Sequence, residues 1–210
     1  MAQAVPDWGY SGAGEDFTVP YLWPSVIQLV PRDGQGKRLL DLGSGNGSWA
    51  NRYARLGYRV DGIEPSDSGL AQARSAYPQC TFHHGLADAA TIERVGSGQF
   101  DVVTSSEVVE HLYAPRDWAR AAFLALKPGG RLVCTTPYHG YLKNLALSVA
   151  GKWDWHLKPL WDGGHIKFWS RATLSELLRE AGFVNIQFRG AGRLPYLWMS
   201  MVMSGDKPAR

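Results

Sequence analysis

From residue 37 onward, strand-like and helix-like segments take turns along the chain. RLLDLG, YRVDGIE, CTFHH, FDVVTSS and RLVCTTP are short apolar runs closed by turn residues. Between them, SWANRYARLG, SDSGLAQARSAYP, ADAATIERVG, DWARAAFLALKPGG and RATLSELLREAGF carry helical spacing, several with a stop signal such as Gly57, Pro78 or Gly182. This order predicts an α/β fold: a Rossmann-like, doubly wound sheet, mostly parallel, with helices on both faces. Two late runs, VNIQFRG and YLWMSMVMSG, are separated by the turn-rich GAGRLP. They should pair as a hairpin, which makes one strand antiparallel.

A chain of 210 residues suits one domain, large enough to fold without disulfide or metal. Its net charge is +3, with no cluster of Lys and Arg, so a nucleic-acid groove is not expected. Cys80 and Cys134 lie in apolar runs and read as buried thiols in a reducing compartment. No basic-then-apolar leader and no run of 18 apolar residues is present, so a cytoplasmic protein without a transmembrane segment is expected. Two pieces stand outside the alternation. One is residues 1–36, read as an N-terminal lid segment. The other is the aromatic-rich interval of about 138–169, read as a lid insertion over a substrate.

The stretch LLDLGSGNG places Gly43, Gly45 and Gly47 at the first strand-to-helix turn, where backbone can approach a ligand closely. Glu64 ends the second strand, where a carboxylate can accept hydrogen bonds from both hydroxyls of a ribose. Position 48 is Ser rather than the glycine of a dinucleotide fingerprint, and Asp41 puts negative charge where phosphates would sit. That acid suits a ligand carrying an ammonium and a sulfonium. D-L-G-x-G-x-G, the acid at 64 and LKPGG before the fifth strand together resemble the class I S-adenosylmethionine-dependent methyltransferases. The resemblance covers about residues 37–205 as a methyltransferase domain and implies a seven-stranded sheet in the order 3-2-1-4-5-7-6. It implies that Asp41, Gly43 and Gly45 hold the methionine part of S-adenosylmethionine, that Gly47 belongs to the same cofactor-binding turn, that Glu64 holds the ribose, and that Asp88 lies near the adenine.

After the fourth strand comes EVVEHL. If it takes one helical turn, Glu107, Glu110 and His111 project from one face. Two carboxylates so close repel unless a cation shares them. His165, in DGGHIKF at the far end of the insertion, can return over the same crevice. TTPYHGYLKNLAL and GGHIKFWSRATLSELLREAGF are similar to the O-methyltransferases of ubiquinone biosynthesis. The E-x-x-E-H also occurs in small-RNA 2′-O-methyltransferases. The resemblance implies that Glu107, Glu110, His111 and His165 are ligands of a divalent metal (Mg, Mn, Fe or Zn).

The expected activity is metal-assisted O-methylation of a small phenolic, quinol or vicinal-oxygen substrate. A metal-independent N- or O-methyltransferase, with His111 or His165 as the catalytic base, is the alternative. An RNA 2′-O-methyltransferase and a non-catalytic cofactor-binding module rank below both. His156 competes with His165 for the pocket. Surface contact of the insertion with a membrane stays open, and Trp8, Tyr10 and Tyr21 are candidates to close the cleft from the other side.

Overall fold

The computed structural model describes residues 7–209. Seven strands, β1 (Arg38–Leu42), β2 (Arg59–Glu64), β3 (Thr81–His84), β4 (Phe100–Ser106), β5 (Leu126–Pro137), β6 (Val184–Ala191) and β7 (Ser200–Asp206), form one sheet in the order β3-β2-β1-β4-β5-β7-β6. The first five run parallel. β7 is antiparallel to both β5 and β6. Strand order and hairpin both match the expectation from sequence.

The strands are buried on both faces, so neighbouring residues serve opposite layers. Leu40, Val103, Leu132 and Met203 point into one core with α4 (Ala89–Val95), α5 (Pro115–Ala125) and α8 (Arg171–Glu180). Leu39, Val102, Val133 and Val202 point into the other. That second core takes α1 (Val19–Val26), α2 (Ser48–Ala54) and α3 (Asp67–Ala76). Four alanines, Ala119, Ala121, Ala122 and Ala125, let α5 lie close to the sheet, and Trp118 fills the remaining space.

Two local details differ from the sequence reading. α5 ends at Ala125, and LKPGG already belongs to β5, with Leu126 paired to Phe100. Pro128 bars Lys127 from helical geometry, so the chain becomes extended before the glycines. The last strand starts at Ser200, which leaves YLWM in the loop that precedes it.

Within the N-terminal segment, α1 is a core helix. Val19, Leu22 and Val26 are buried against β6 and β7. The insertion holds α6 (Tyr141–Val149) and the short α7 (Trp153–Leu157). Its two ends are tied to each other by the His139 N–H, which donates to the Trp169 carbonyl, and Tyr138 N–H donates to the Met199 carbonyl just before β7. Among the described residues no helix is long and apolar enough to cross a membrane.

Because α1 is a structural helix, Leu22→Ala should lower unfolding free energy by about 2–5 kcal/mol, measured by urea denaturation. An unchanged midpoint would mean that the segment does not belong to the core.

Candidate active site

β1 is flanked by β2 on one side and β4 on the other, so the crossovers reverse direction beside it. Ligands of open α/β sheets bind at such a point, outside the carboxyl ends of the strands. Asp41 sits there at 1% exposure. Thr104, its register partner on β4, donates its hydroxyl to Asp41 Oδ1 at 2.9 Å, and Oδ2 has no partner. Burial pushes the Asp41 carboxyl up to about 7, against the Thr104 hydrogen bond. Ser105 Oγ donates to the Leu42 carbonyl at 2.7 Å and accepts from Trp118 Nε1, which ties β1 to β4 at the same level.

The glycine turn follows directly. Gly43 has φ +84°, and a Cβ there would lie 2.5 Å from Val108, so glycine is needed for conformation and for space. Gly45 N–H donates to Glu64 Oε2 at 2.8 Å, and Ser66 N–H donates to Oε1 at 3.0 Å. The two bonds aim the Glu64 carboxylate at the turn, while burial raises its pKa. Gly47 begins α2 as its cap residue. Asp88 stands after β3 as the N-cap of α4, accepting from Thr91 N–H at 2.8 Å.

Residues 7–15 lie across this crevice as a strap. Asp7 accepts from Ser66 Oγ and Ser68 N–H, and Tyr10 N–H donates to Ser68 Oγ. Asn46 donates to the carbonyls of Gly12 and Gly14. Tyr10 closes over Gly45, where an added Cβ would meet its hydroxyl at 2.8 Å.

Beyond β4 the structure separates the four expected metal ligands. The helical turn is a 3-10 turn, Val109–His111, and it begins after Glu107. Glu107 adopts φ +54°, which costs a non-glycine residue roughly 1–2 kcal/mol. Its carboxylate therefore leaves the common face. Oε1 accepts from Thr135 at 2.8 Å and Oε2 from Ser200 at 3.3 Å, and Tyr21 bonds Ser200 in turn. Burial pushes the Glu107 carboxyl up to about 7.

Glu110, His111 and His165 do come together, each with one ligand atom within 4.8 Å of the others. Glu110 is 1% exposed; Oε2 accepts from Thr136 and Oε1 has no partner. Burial, then the neighbouring Glu107, raises its pKa. The His111 ring nitrogen Nδ1 donates to the Gly163 carbonyl at 2.7 Å, which leaves Nε2 with its lone pair free. His165 is delivered by the backbone: Ile166 and Lys167 N–H groups both donate to the Glu110 carbonyl. The His111 and His165 rings meet edge-on at 4.9 Å, with Trp161 and Trp8 beside them. Burial, then His111, pushes His165 down to about 4, so it is neutral at pH 7. His156 lies elsewhere, edge-on to His139 at 5.3 Å.

The methyltransferase-domain family model matches residues 18–188. The chain is 33% identical over 172 residues to a ubiquinone biosynthesis O-methyltransferase of Cereibacter sphaeroides, covering 80% of this chain and 69% of that one. It is 34% identical over 177 residues to the protein of the same name from Ruegeria pomeroyi, covering 81% and 69%. An S-adenosylmethionine-dependent methyltransferase of Mesorhizobium loti has the same fold, with TM-score 0.68 and 22% identity, covering 89% of this chain and 97% of that one. The chain belongs to the class I S-adenosylmethionine-dependent methyltransferases. The cofactor fits the residues present in this methyltransferase. The orphaned Asp41 Oδ2 suits the ammonium of the methionyl part, and Glu64 keeps lone pairs for ribose hydroxyls.

Several site residues carry no motif. Thr104, Thr135, Thr136 and Ser200 supply the hydroxyls that hold three buried acids. Their signal in the sequence is a polar end on an otherwise apolar strand, Thr104 in FDVVTSS and Thr135-Thr136 in RLVCTTP, and Ser200 has none.

If Asp41 holds the cofactor ammonium it does so ionised, and cofactor affinity should then rise with pH up to the carboxyl's pKa. Calorimetry between about pH 6 and about pH 7.5 is expected to show tightening, by up to about tenfold per unit below that pKa. Asp41→Asn should bind weakly with a flat profile, and a flat profile in the native protein would remove Asp41 from the ammonium site. Glu64→Gln should weaken binding by at least about tenfold at every pH.

Proposed function

We propose that this methyltransferase O-methylates a small substrate bearing vicinal oxygens, such as a catechol or quinol, with a divalent metal held by Glu110, His111 and His165. The observation that carries the reading is the buried Glu110 Oε1, without a partner and beside two neutral imidazoles. A buried carboxylate oxygen is costly to leave unpaired, and a divalent cation satisfies it. One carboxylate and two imidazoles leave coordination positions for substrate oxygens, and Mg, Mn, Fe and Zn all accept such ligands. A metal there would supply Lewis acidity that favours the ionised acceptor oxygen. Glu107 is assigned to positioning rather than to the metal, because both its oxygens are engaged by hydroxyls. Relatives named for ubiquinone biosynthesis support a phenolic or quinol acceptor.

The remaining work falls to residues of this chain. Methyl transfer from a sulfonium is an in-line displacement, so the acceptor must be held still and water kept away. Trp8 and Trp161 wall the imidazole pair, and we assign the strap of residues 7–15 and the insertion 138–169 as the two lids over the reactants, with α1 behind the strap belonging to the core. His111 is oriented by the Gly163 carbonyl and presents Nε2 toward the site. That geometry also favours a second reading, in which His111 takes the acceptor proton with no metal present. A cytoplasmic location agrees with two free, buried cysteines.

Methyl transfer to catechol should fall to background after chelator treatment and return with added Mg²⁺ or Mn²⁺. Glu110→Ala and His165→Ala should each reduce kcat/KM by about a hundredfold or more. Activity indifferent to chelator, lost in His111→Ala and kept in Glu110→Ala, would replace the metal reading with the base reading.

A further inference from the structure

Helix α6 is built inside out. Tyr141, Leu142, Leu145 and Val149 are exposed, and the helix's buried residue is Lys143, at 5% exposure. Lysine is among the residues least often buried without a partner, while leucine is among those most often buried. Packing for its own sake would have turned this helix the other way.

The Lys143 ammonium has three N–H donors. Among the described residues one partner is recorded, the Met199 carbonyl at 3.0 Å. Among the described residues no carboxylate lies within ion-pair distance of it. Glu107 is the acid whose charge acts on it, but Thr135 and Ser200 already donate to both Glu107 oxygens. Burial, then Arg193, pushes Lys143 down to about 8, so the ammonium stays mostly charged at neutral pH.

The same insertion and the facing loop carry further polar groups. His156 Nε2 is buried and has no hydrogen-bond partner. Arg193, on the loop that also presents Met199, has a left-handed backbone and is exposed at the rim, and its charge acts on both Lys143 and His156. The Met199 carbonyl that holds Lys143 is followed by Ser200, which bonds Glu107, and Asn144 bonds the His139 ring that meets His156 edge-on at 5.3 Å, so the cluster borders the acidic side of the site. A concentration of cationic and donor groups without a matching acid is electrostatically incomplete, and an anionic ligand completes it.

We propose that Lys143, with His156 and Arg193, forms a subsite for a fixed anionic oxygen of the methyl acceptor, a carboxylate or phosphate substituent carried beside the oxygen that is methylated. The proposal rests on the small-acceptor reading above and narrows its substrate class. A neutral acceptor leaves the ammonium underpaired. An anionic one gives it charge-assisted hydrogen bonds and fixes which edge of the ring faces His111 and His165.

The test is calorimetry on protein loaded with S-adenosylhomocysteine and stripped of metal by chelator. The probes are benzoate, phenyl phosphate and neutral benzamide, none of which has vicinal hydroxyls. At least one anion should bind about tenfold or more tighter than benzamide, and the tighter anion identifies the substituent. Lys143→Met should erase that preference, and Lys143→Arg should keep most of it. Equal binding of all three probes to the native protein overturns the proposal, and needs no variant that folds. So does an undiminished preference in Lys143→Met with native melting temperature and S-adenosylhomocysteine affinity. Neither measurement uses metal or methyl transfer, so failure here is distinct from failure of the metal-assisted reading.

Discussion

A carboxylate is held almost out of water where the sheet reverses its winding, and the cofactor side of this protein is arranged around that fact. Asp41 has a hydroxyl from Thr104 on one oxygen and nothing on the other. An acid in that state destabilises the folded chain, and the surrounding packing has to offset it. Leu39, Leu40, Val102 and Val103 do so on both faces of the sheet at the same level. Ser105, bonded to the Leu42 carbonyl and to Trp118, prevents the two strands from relaxing around the charge. Rigidity near the crevice is therefore a requirement of keeping an unpaired acid in place.

The acceptor side depends on one residue used twice. The Glu110 side chain presents an unsatisfied oxygen to the imidazoles, and its backbone carbonyl receives two N–H groups from the returning end of the insertion. The Trp169 indole adds a bond to the Val109 carbonyl next door. The distance from His165 to Glu110 is thus set by hydrogen bonds of the main chain rather than by packing of a flexible loop. Fifty-odd residues of intervening sequence matter little once these bonds form, which explains how a distant histidine joins a local pair.

The parts of the fold that were legible in the sequence are those where local pattern and tertiary demand agree. Strands buried on both faces show as apolar runs, and Ser66 and Ser170 cap helices in the way their residue type announces. The glycine turn and Glu64 were readable because close backbone approach requires those residue types. Glu107 stands apart from Glu110, His111 and His165 because its left-handed backbone is a property that residue type hides, and one residue outside the turn is enough to send a side chain elsewhere. Lys143 was invisible because Y-L-K-N-L-A-L predicts an outward lysine by helical period, and a tertiary electrostatic arrangement overrides that period. α1 was missed as a core element because its partners, β6 and β7, lie more than 150 residues away in the chain.

The strap of residues 7–15 has a kinetic consequence. Tyr10 stands over Gly45, and Asp7 is bonded to the first turn of α3. A molecule that passes Gly45 must first peel away a segment fastened by several hydrogen bonds, and the spent cofactor faces the same barrier on leaving. Opening of the strap is therefore a step that every exchange of cofactor has to include, in addition to the chemical one.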